Sequence, residues 1–185
     1  MARLPYPDRE TLPAELSKLL GGMPRNNITE MLAHASSLTA PFLRLAQAQF
    51  TALELSPRQR ELIILCVAGR IDCEYEYAQH VPVSEAIGID VALRERIRDG
   101  HVDASEDPAE RALLALVVAV VAAPRVSAEV FGAARRHLTA RQIVEALWLV
   151  GFYWALGRVC TVLELEIDSP TGTESVTAVA HLAEG

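Results

Sequence analysis

Between positions 61 and 80 the chain reads ELIILCVAGRIDCEYEYAQH, which sets a thiol, carboxylates and an imidazole within two short stretches of one another. An apolar helix ends near Gly69-Arg70, and a second is expected to start around Asp72. On that second helix Cys73, Glu76 and Tyr77 stand at i, i+3 and i+4, and Glu76 and His80 at i and i+4, so these groups share one face about a turn apart. Glu76 beside His80 makes an acid–base pair in which each partner can tune the other's proton affinity towards neutrality. Cys73 falls in the first turn, where unpaired N–H groups and the helix dipole favour the thiolate. Glu61, if it faces inward from the preceding helix, supplies a second carboxylate to orient His80 or relay its proton. The bland alternative is a solvated Glu–His pair and a core cysteine, and Cys66, inside the apolar run 62–67, has only that structural reading.

The elements that must position these groups are helices. Apolar residues recur at helical spacing almost throughout, and no segment alternates with period two between turn dipeptides, so the class is all-α. Gly21-Gly22 with Pro24 closes an opening helix, Pro41 is expected to restart one, and Ser56-Pro57 opens another. Later breaks are expected at Gly69, Gly88, Gly100, Pro108 and Pro124. Ser56 with Gln59 and Thr139 with Gln142 each read as a capping box ahead of an apolar helix, an echo that fits a duplicated helical unit as well as coincidence. The last helix is expected over 139–166, and its stretch 146–157, ALWLVGFYWALG, carries no charge. One small core does not easily surround such a helix on all sides, which points to a homo-oligomer. Residues 1–168 are expected to form one helical domain and 169–185 a loosely held tail.

Composition removes several classes of function. Seventeen basic against twenty-four acidic residues leave a net charge of −7, which offers no general attraction to nucleic acid or anionic lipid. The opening MARLPYPDRETLP has no unbroken apolar segment of the kind a secretory signal needs, so a cytoplasmic location is expected. The most lipid-like run, 112–123, is twelve residues, short of the roughly 20 that span a bilayer, and is expected to be a core helix. The five histidines have no partners at metal-ligand spacing, so no metal is expected. Cys66, Cys73 and Cys160 form no framework and are expected to stay free. Cys66 and Cys73 would stand about 10 Å apart in rise along a helix, which leaves Cys160 as the one other partner for an intramolecular disulfide, and none is expected.

RELIIL followed after a short gap by YEYAQHVPVSEAIGI resembles the carboxymuconolactone decarboxylase family, which includes alkylhydroperoxidase D. The resemblance covers roughly 38–100, and LTARQIVEALWLVGFYWALGR is similar to the family's C-terminal helix. It implies an all-helical fold assembled into trimers or hexamers with the active site near a subunit boundary. Alkylhydroperoxidase D carries a Glu, then a Cys-x-x-Cys pair with a His four residues on, and uses the thiols with a Glu/His proton relay. Glu61 matches that Glu, Cys73 the first cysteine and His80 the histidine, while Glu76 takes the place of the second cysteine. The run from Tyr75 to His80 instead resembles the cysteine-poor branch that includes the lactone decarboxylase itself, where the chemistry is proton transfer.

Together these readings point to a cofactor-independent acid–base enzyme, of decarboxylase or isomerase type, acting on a small oxygenated organic acid or lactone. In it His80 is general acid or base, Glu76 its partner, Glu61 the orienting carboxylate, Tyr75 or Tyr77 a pocket wall or hydroxyl donor, and Arg58 or Arg60 the holder of a substrate carboxylate. One alternative is a thiol-dependent peroxidase, with peroxiredoxin activity at Cys73 and an external thiol that resolves the sulfenic acid. The other is a non-enzymatic oligomeric binding protein of the same fold.

Overall fold

The computed structural model describes residues 1–168, and the tail expected over 169–185 lies outside them. The described residues form nine α-helices and no strands: α1 (Ala14–Gly21), α2 (Asn27–Leu32), α3 (Ser36–Thr51), α4 (Pro57–Arg70), α5 (Glu74–Ala86), α6 (Val91–Arg98), α7 (Pro108–Ala122), α8 (Ala128–His137) and α9 (Ala140–Leu163). Both capping boxes are present. The Ser56 hydroxyl accepts from Gln59 N–H at the head of α4, and Thr139 from Gln142 N–H at the head of α9, with each glutamine returning a bond to its cap. Pro41 does not restart a helix but lies inside α3, whose path runs on from α2 through a 3-10 turn at Ala33–Ala35.

Helix α4 is the axle of the fold. Every residue from Arg60 to Ala68 is buried, because α5, α6, α7 and α9 all pack around it. A helix enclosed on every side needs no polar face, so burial of Leu62, Ile63, Ile64 and Leu65 contributes about 1.5–3 kcal/mol for each side chain. The enclosure also explains Gly69. It sits within α4, and a β-carbon there would lie 2.5 Å from the carbonyl oxygen of Arg98 at the end of α6.

The chain leaves α4 through a tight reversal at Ile71 and Asp72. Cys73 N–H returns to Ala68 O at 2.9 Å and Asp72 N–H to Gly69 O at 3.2 Å. Asp72 takes φ 55°, a left-handed conformation that a short polar side chain tolerates better than a bulky one. The reversal lays α5 back along α4, so residues late in α5 come opposite residues early in α4.

Two apolar clusters result. The larger joins α4, α5, α7 and α9; the smaller is built from Leu16, Leu20, Met23, Ala33, Leu43 and Ala46 of the α1–α3 region. Phe42 and Phe152 belong to the margin of both and stack at 4.8 Å between centroids. Helix α9 ends sooner than the sequence suggests, at Leu163, where Glu164 turns left-handed and Leu165 N–H caps Cys160 O. Its inner face is buried, whereas Trp148, Leu147 and Trp154 face outward. By length and composition α9, rather than 112–123, is long and apolar enough to cross a bilayer, although its inner face packs on α4, α5 and α7.

Candidate functional site

The α4–α5 hairpin brings Glu61 and His80 together at the centre of the larger core. Glu61 is 0% exposed, and its two oxygens are divided between two donors. Arg60 Nε donates to Oε1 at 3.0 Å, and His80 Nδ1 donates to Oε2 at 2.7 Å. The other imidazole nitrogen, Nε2, stands 3.9 Å from Oε2 of Glu76, one turn earlier on α5. The edge of the Tyr153 ring packs against His80 at 5.2 Å.

The charges of this group are set by opposing forces. Burial pushes the Glu61 carboxyl up, but His80 and Arg60 overcome it and hold it below the usual carboxylate range. Burial disfavours imidazolium at His80, yet the charge and hydrogen bond of Glu61, with help from Glu76, raise it above 6.5. For Glu76 burial wins: its proton affinity is raised, although His80 and a hydrogen bond from Cys160 pull the other way. The site therefore holds a hydrogen-bonded carboxylate–imidazole pair in which each partner favours the charged form of the other, beside a second carboxyl made more basic by burial.

Glu76 and His80 line a cavity of about 110 Å³ between the two apolar clusters. Its other walls are mostly apolar and aromatic, with Phe42, Phe50, Phe152, Tyr153 and Leu156 prominent. That volume is on the order of what one small ring requires. Gln79 also lines it, and its buried Nε2 has no hydrogen-bond partner. An amide donor left unpaired at a pocket wall is a ready partner for a ligand oxygen.

Of the remaining residues singled out from the sequence, Tyr75 belongs to the pocket and three others do not. Tyr75 lines it, but its hydroxyl is engaged, donating to Asp168 Oδ2 and accepting from Ile28 N–H at 3.2 Å, so it is a wall rather than a free donor. Tyr77 points elsewhere, beneath the guanidinium of Arg98. Arg58 is held by Glu110 at 2.6 Å, away from the cavity. Arg60 is behind the wall: it holds Glu61 and lies 4.2 Å over the Phe50 ring. Neither arginine reaches the space where a substrate carboxylate would sit, because each has a buried acidic partner on its own side of the fold.

Cys73 is the residue before α5 rather than part of its first turn, is 1% exposed, and lies behind Glu76 instead of lining the cavity. The fold sets α9 against it: a β-carbon at Gly157, one turn before Cys160, would stand 3.5 Å from Cys73 Sγ, and Cys160, the one partner left open by the sequence, holds the Cys73 thiol below its ordinary value. Gln79, Tyr153 and the phenylalanines are the site residues that sequence reasoning missed, and Cys160 was noted there only as a thiol without a place. Tyr153 and Phe152 were visible within the uncharged stretch of α9, but nothing in their spacing aims them at α5. Among the described residues no cluster of His, Cys, Asp and Glu is arranged to hold a metal ion.

No family model and no curated protein sequence matches the chain, and its likeness is to solved structures. One is an alkylhydroperoxidase AhpD core, an uncharacterized peroxidase-related protein from Ralstonia eutropha, with TM-score 0.80 and 18% identity over 95% of this chain and 96% of that one. A peroxidase-related protein from Silicibacter aligns with TM-score 0.76 and 20% identity over 91% and 92%. The debrominase Bmp8, as a cysteine-to-alanine variant in complex with 2,3,4-tribromopyrrole, aligns with TM-score 0.73 and 14% identity over 97% and 100%. The chain has the all-helical alkylhydroperoxidase D-like fold.

Proposed function

We propose that the protein is a cofactor-independent proton-transfer enzyme acting on a small, largely apolar carbonyl compound or lactone. The observation that supports this is the pairing of Glu76 with His80 at the wall of an apolar cavity, with Glu61 fixed behind the imidazole. Ionised Glu76, made more basic by burial, takes a proton from the carbon next to the carbonyl. Imidazolium Nε2–H of His80 stabilises the enolate oxygen that develops, and Glu61 keeps that imidazole charged. Return of the proton from Glu76 to a second carbon completes an isomerisation without an external reagent. Lys and Arg are absent from the cavity lining among the described residues, so an uncharged substrate fits better than an organic acid, and isomerisation better than decarboxylation. The solved debrominase holds 2,3,4-tribromopyrrole, a small flat ring, and a ligand of that shape suits the aromatic walls here.

The alternative, peroxidase turnover at Cys73 alone, has weaker support, because that sulfur is buried behind Glu76 and its nearest partner is another thiol.

The test is solvent-deuterium incorporation into a panel of β,γ-unsaturated lactones and cyclic enones, followed by NMR. Glu76→Gln should slow exchange on the order of 10²-fold or more, and Cys73→Ser should change it little, in variants shown to fold normally. Equal rates for wild type and Glu76→Gln, or no exchange on any panel member, would reject the reading.

A further inference from the structure

The three cysteines occupy different environments. Cys66 is alone inside α4, and burial pushes its thiol up to about 12. Cys160, 3% exposed on the inner face of α9, donates to Glu76 Oε1 at 3.6 Å and interacts with Cys73. The close approach depends on Gly157, one turn before Cys160. A β-carbon at 157 would stand 3.5 Å from Cys73 Sγ and 2.4 Å from Ile71 Cδ1, so a side chain there would push α9 away from the thiol.

We infer that Cys73 and Cys160 are a redox pair that a small hydroperoxide closes into a disulfide, joining the turn before α5 to α9 directly behind Glu76. Helix α9 crosses the turn before α5 at Gly157, close enough that a β-carbon there would stand 3.5 Å from Cys73 Sγ, and Cys160 Sγ lies 3.6 Å from Glu76 Oε1, so the two thiols flank one another where a bond of about 2 Å would join them. Their protonation divides the roles. The single Cys160 S–H can turn from Glu76 to Cys73, and in that direction it lowers the Cys73 thiol below its ordinary value, against the effect of burial, while Cys160 is raised and keeps its proton. Cys73 thiolate attacks one oxygen of hydrogen peroxide, the O–O bond breaks, and the departing hydroxide takes a proton to become water. Cys160 sulfur then attacks the Cys73 sulfenic sulfur, the S–O bond breaks, and the hydroxyl leaves with the Cys160 proton as a second water. Two thiols are oxidised by two electrons and one peroxide is reduced to two waters.

Burial selects the oxidant. A water-sized peroxide reaches two thiols that are 1% and 3% exposed, whereas a bulky disulfide such as oxidised glutathione does not. Closure also removes the Cys160 donor from Glu76. Because that hydrogen bond favours the ionised carboxyl, Glu76 becomes harder to ionise in the oxidised protein. This last consequence rests on the proton-transfer reading; the disulfide does not.

The full-length reduced protein, treated with a few equivalents of hydrogen peroxide and alkylated after denaturation, tests the pair by intact mass and peptide mapping. Wild type should lose two hydrogens, keep Cys66 as its single alkylatable thiol and yield a Cys73–Cys160 peptide. Cys66→Ala should close in the same way. Cys160→Ala should instead accumulate a dimedone-reactive sulfenic acid at Cys73, and oxidised glutathione should leave all three wild-type thiols free. Three alkylatable thiols in peroxide-treated wild type, or a disulfide that includes Cys66, would overturn the assignment. If no exchange activity is found but the mass change occurs, the Glu76 reading falls and the thiol pair stands.

Discussion

The two sides of the cavity are built to different standards. One side, from α5 and α9 with α4 behind them, belongs to the large cluster and carries every ionisable group that faces the pocket. The other, from α1 to α3, is a small cluster contributing mostly apolar and aromatic surface, with Thr29 and Asn26 at its margin. The contrast follows from what each side must do. Holding a carboxylate and an imidazole at 2.7 Å in a medium that penalises charge requires neighbours that cannot relax. Shaping an apolar wall requires only complementary volume, which a thin layer provides and can readjust.

Cavity-forming substitutions should expose that difference most strongly. Ile64→Ala, at the centre of α4, should cost about 4 kcal/mol in denaturant unfolding, because the crowded surroundings cannot collapse into the space. Leu20→Ala, equally buried but in the small cluster, should cost about 2 kcal/mol and raise amide exchange chiefly in α1–α3. Equal costs with equally global exchange would show that the two sides form one cooperative unit.

Glu61→Gln should fall between those two, at about 3 kcal/mol, since it leaves the buried Arg60 guanidinium without a compensating negative charge. Its signature is the sign of a pH effect. In wild type the His80 imidazole is raised, so its stabilisation is fully present below 6.5 and is lost as pH rises through the raised folded value. Glu61 is lowered, so its contribution is present above 4.5 and is lost as pH falls through its folded value. Without Glu61, burial dominates and the His80 pKa should fall below 6.5, so that acidification through that range now destabilises. Histidine NMR titration decides this, and an unshifted His80 would mean that Glu61 does not set its charge.

The smallest effect on the monomer is expected on the outer face of α9. Trp148 is 66% exposed, so Trp148→Ala should change monomer stability by no more than about 0.5 kcal/mol. We propose that this face joins copies of the chain, since Leu147, Trp148 and Trp154 leave a large apolar area uncovered. Light scattering should give wild type at least twice the 20.2 kDa chain mass and the variant a smaller average. A monodisperse wild-type monomer would refute the proposed association.

The helical class and both capping boxes were legible because each depends on residues within a few positions of one another. So was the grouping of Glu76 with His80, which one helix fixes by itself. The Glu61–His80 contact needed the reversal at Asp72, whose left-handed residue is an aspartate and not the glycine that would have marked it. The misplacement of Arg58 and Tyr77 has the same origin. Spacing gives neighbours on a helix, but Glu110 and Arg98, which claim those side chains, come from distant helices. Cys160 was visible only as an unplaced thiol, because its meeting with Cys73 depends on how closely α9 crosses at Gly157.

Arg60 links the two sides of the cavity from behind its wall. Its Nε fixes Glu61, and its guanidinium plane lies over the Phe50 ring, which faces the pocket. Electrical state and wall position are therefore geared together: a ligand that displaces Phe50 must disturb the cation that steadies the buried carboxylate, and a change in that carboxylate's charge is transmitted back to the wall. Lysine at this position would keep the charge and disengage the gear, since an ammonium has no plane to lay on the ring.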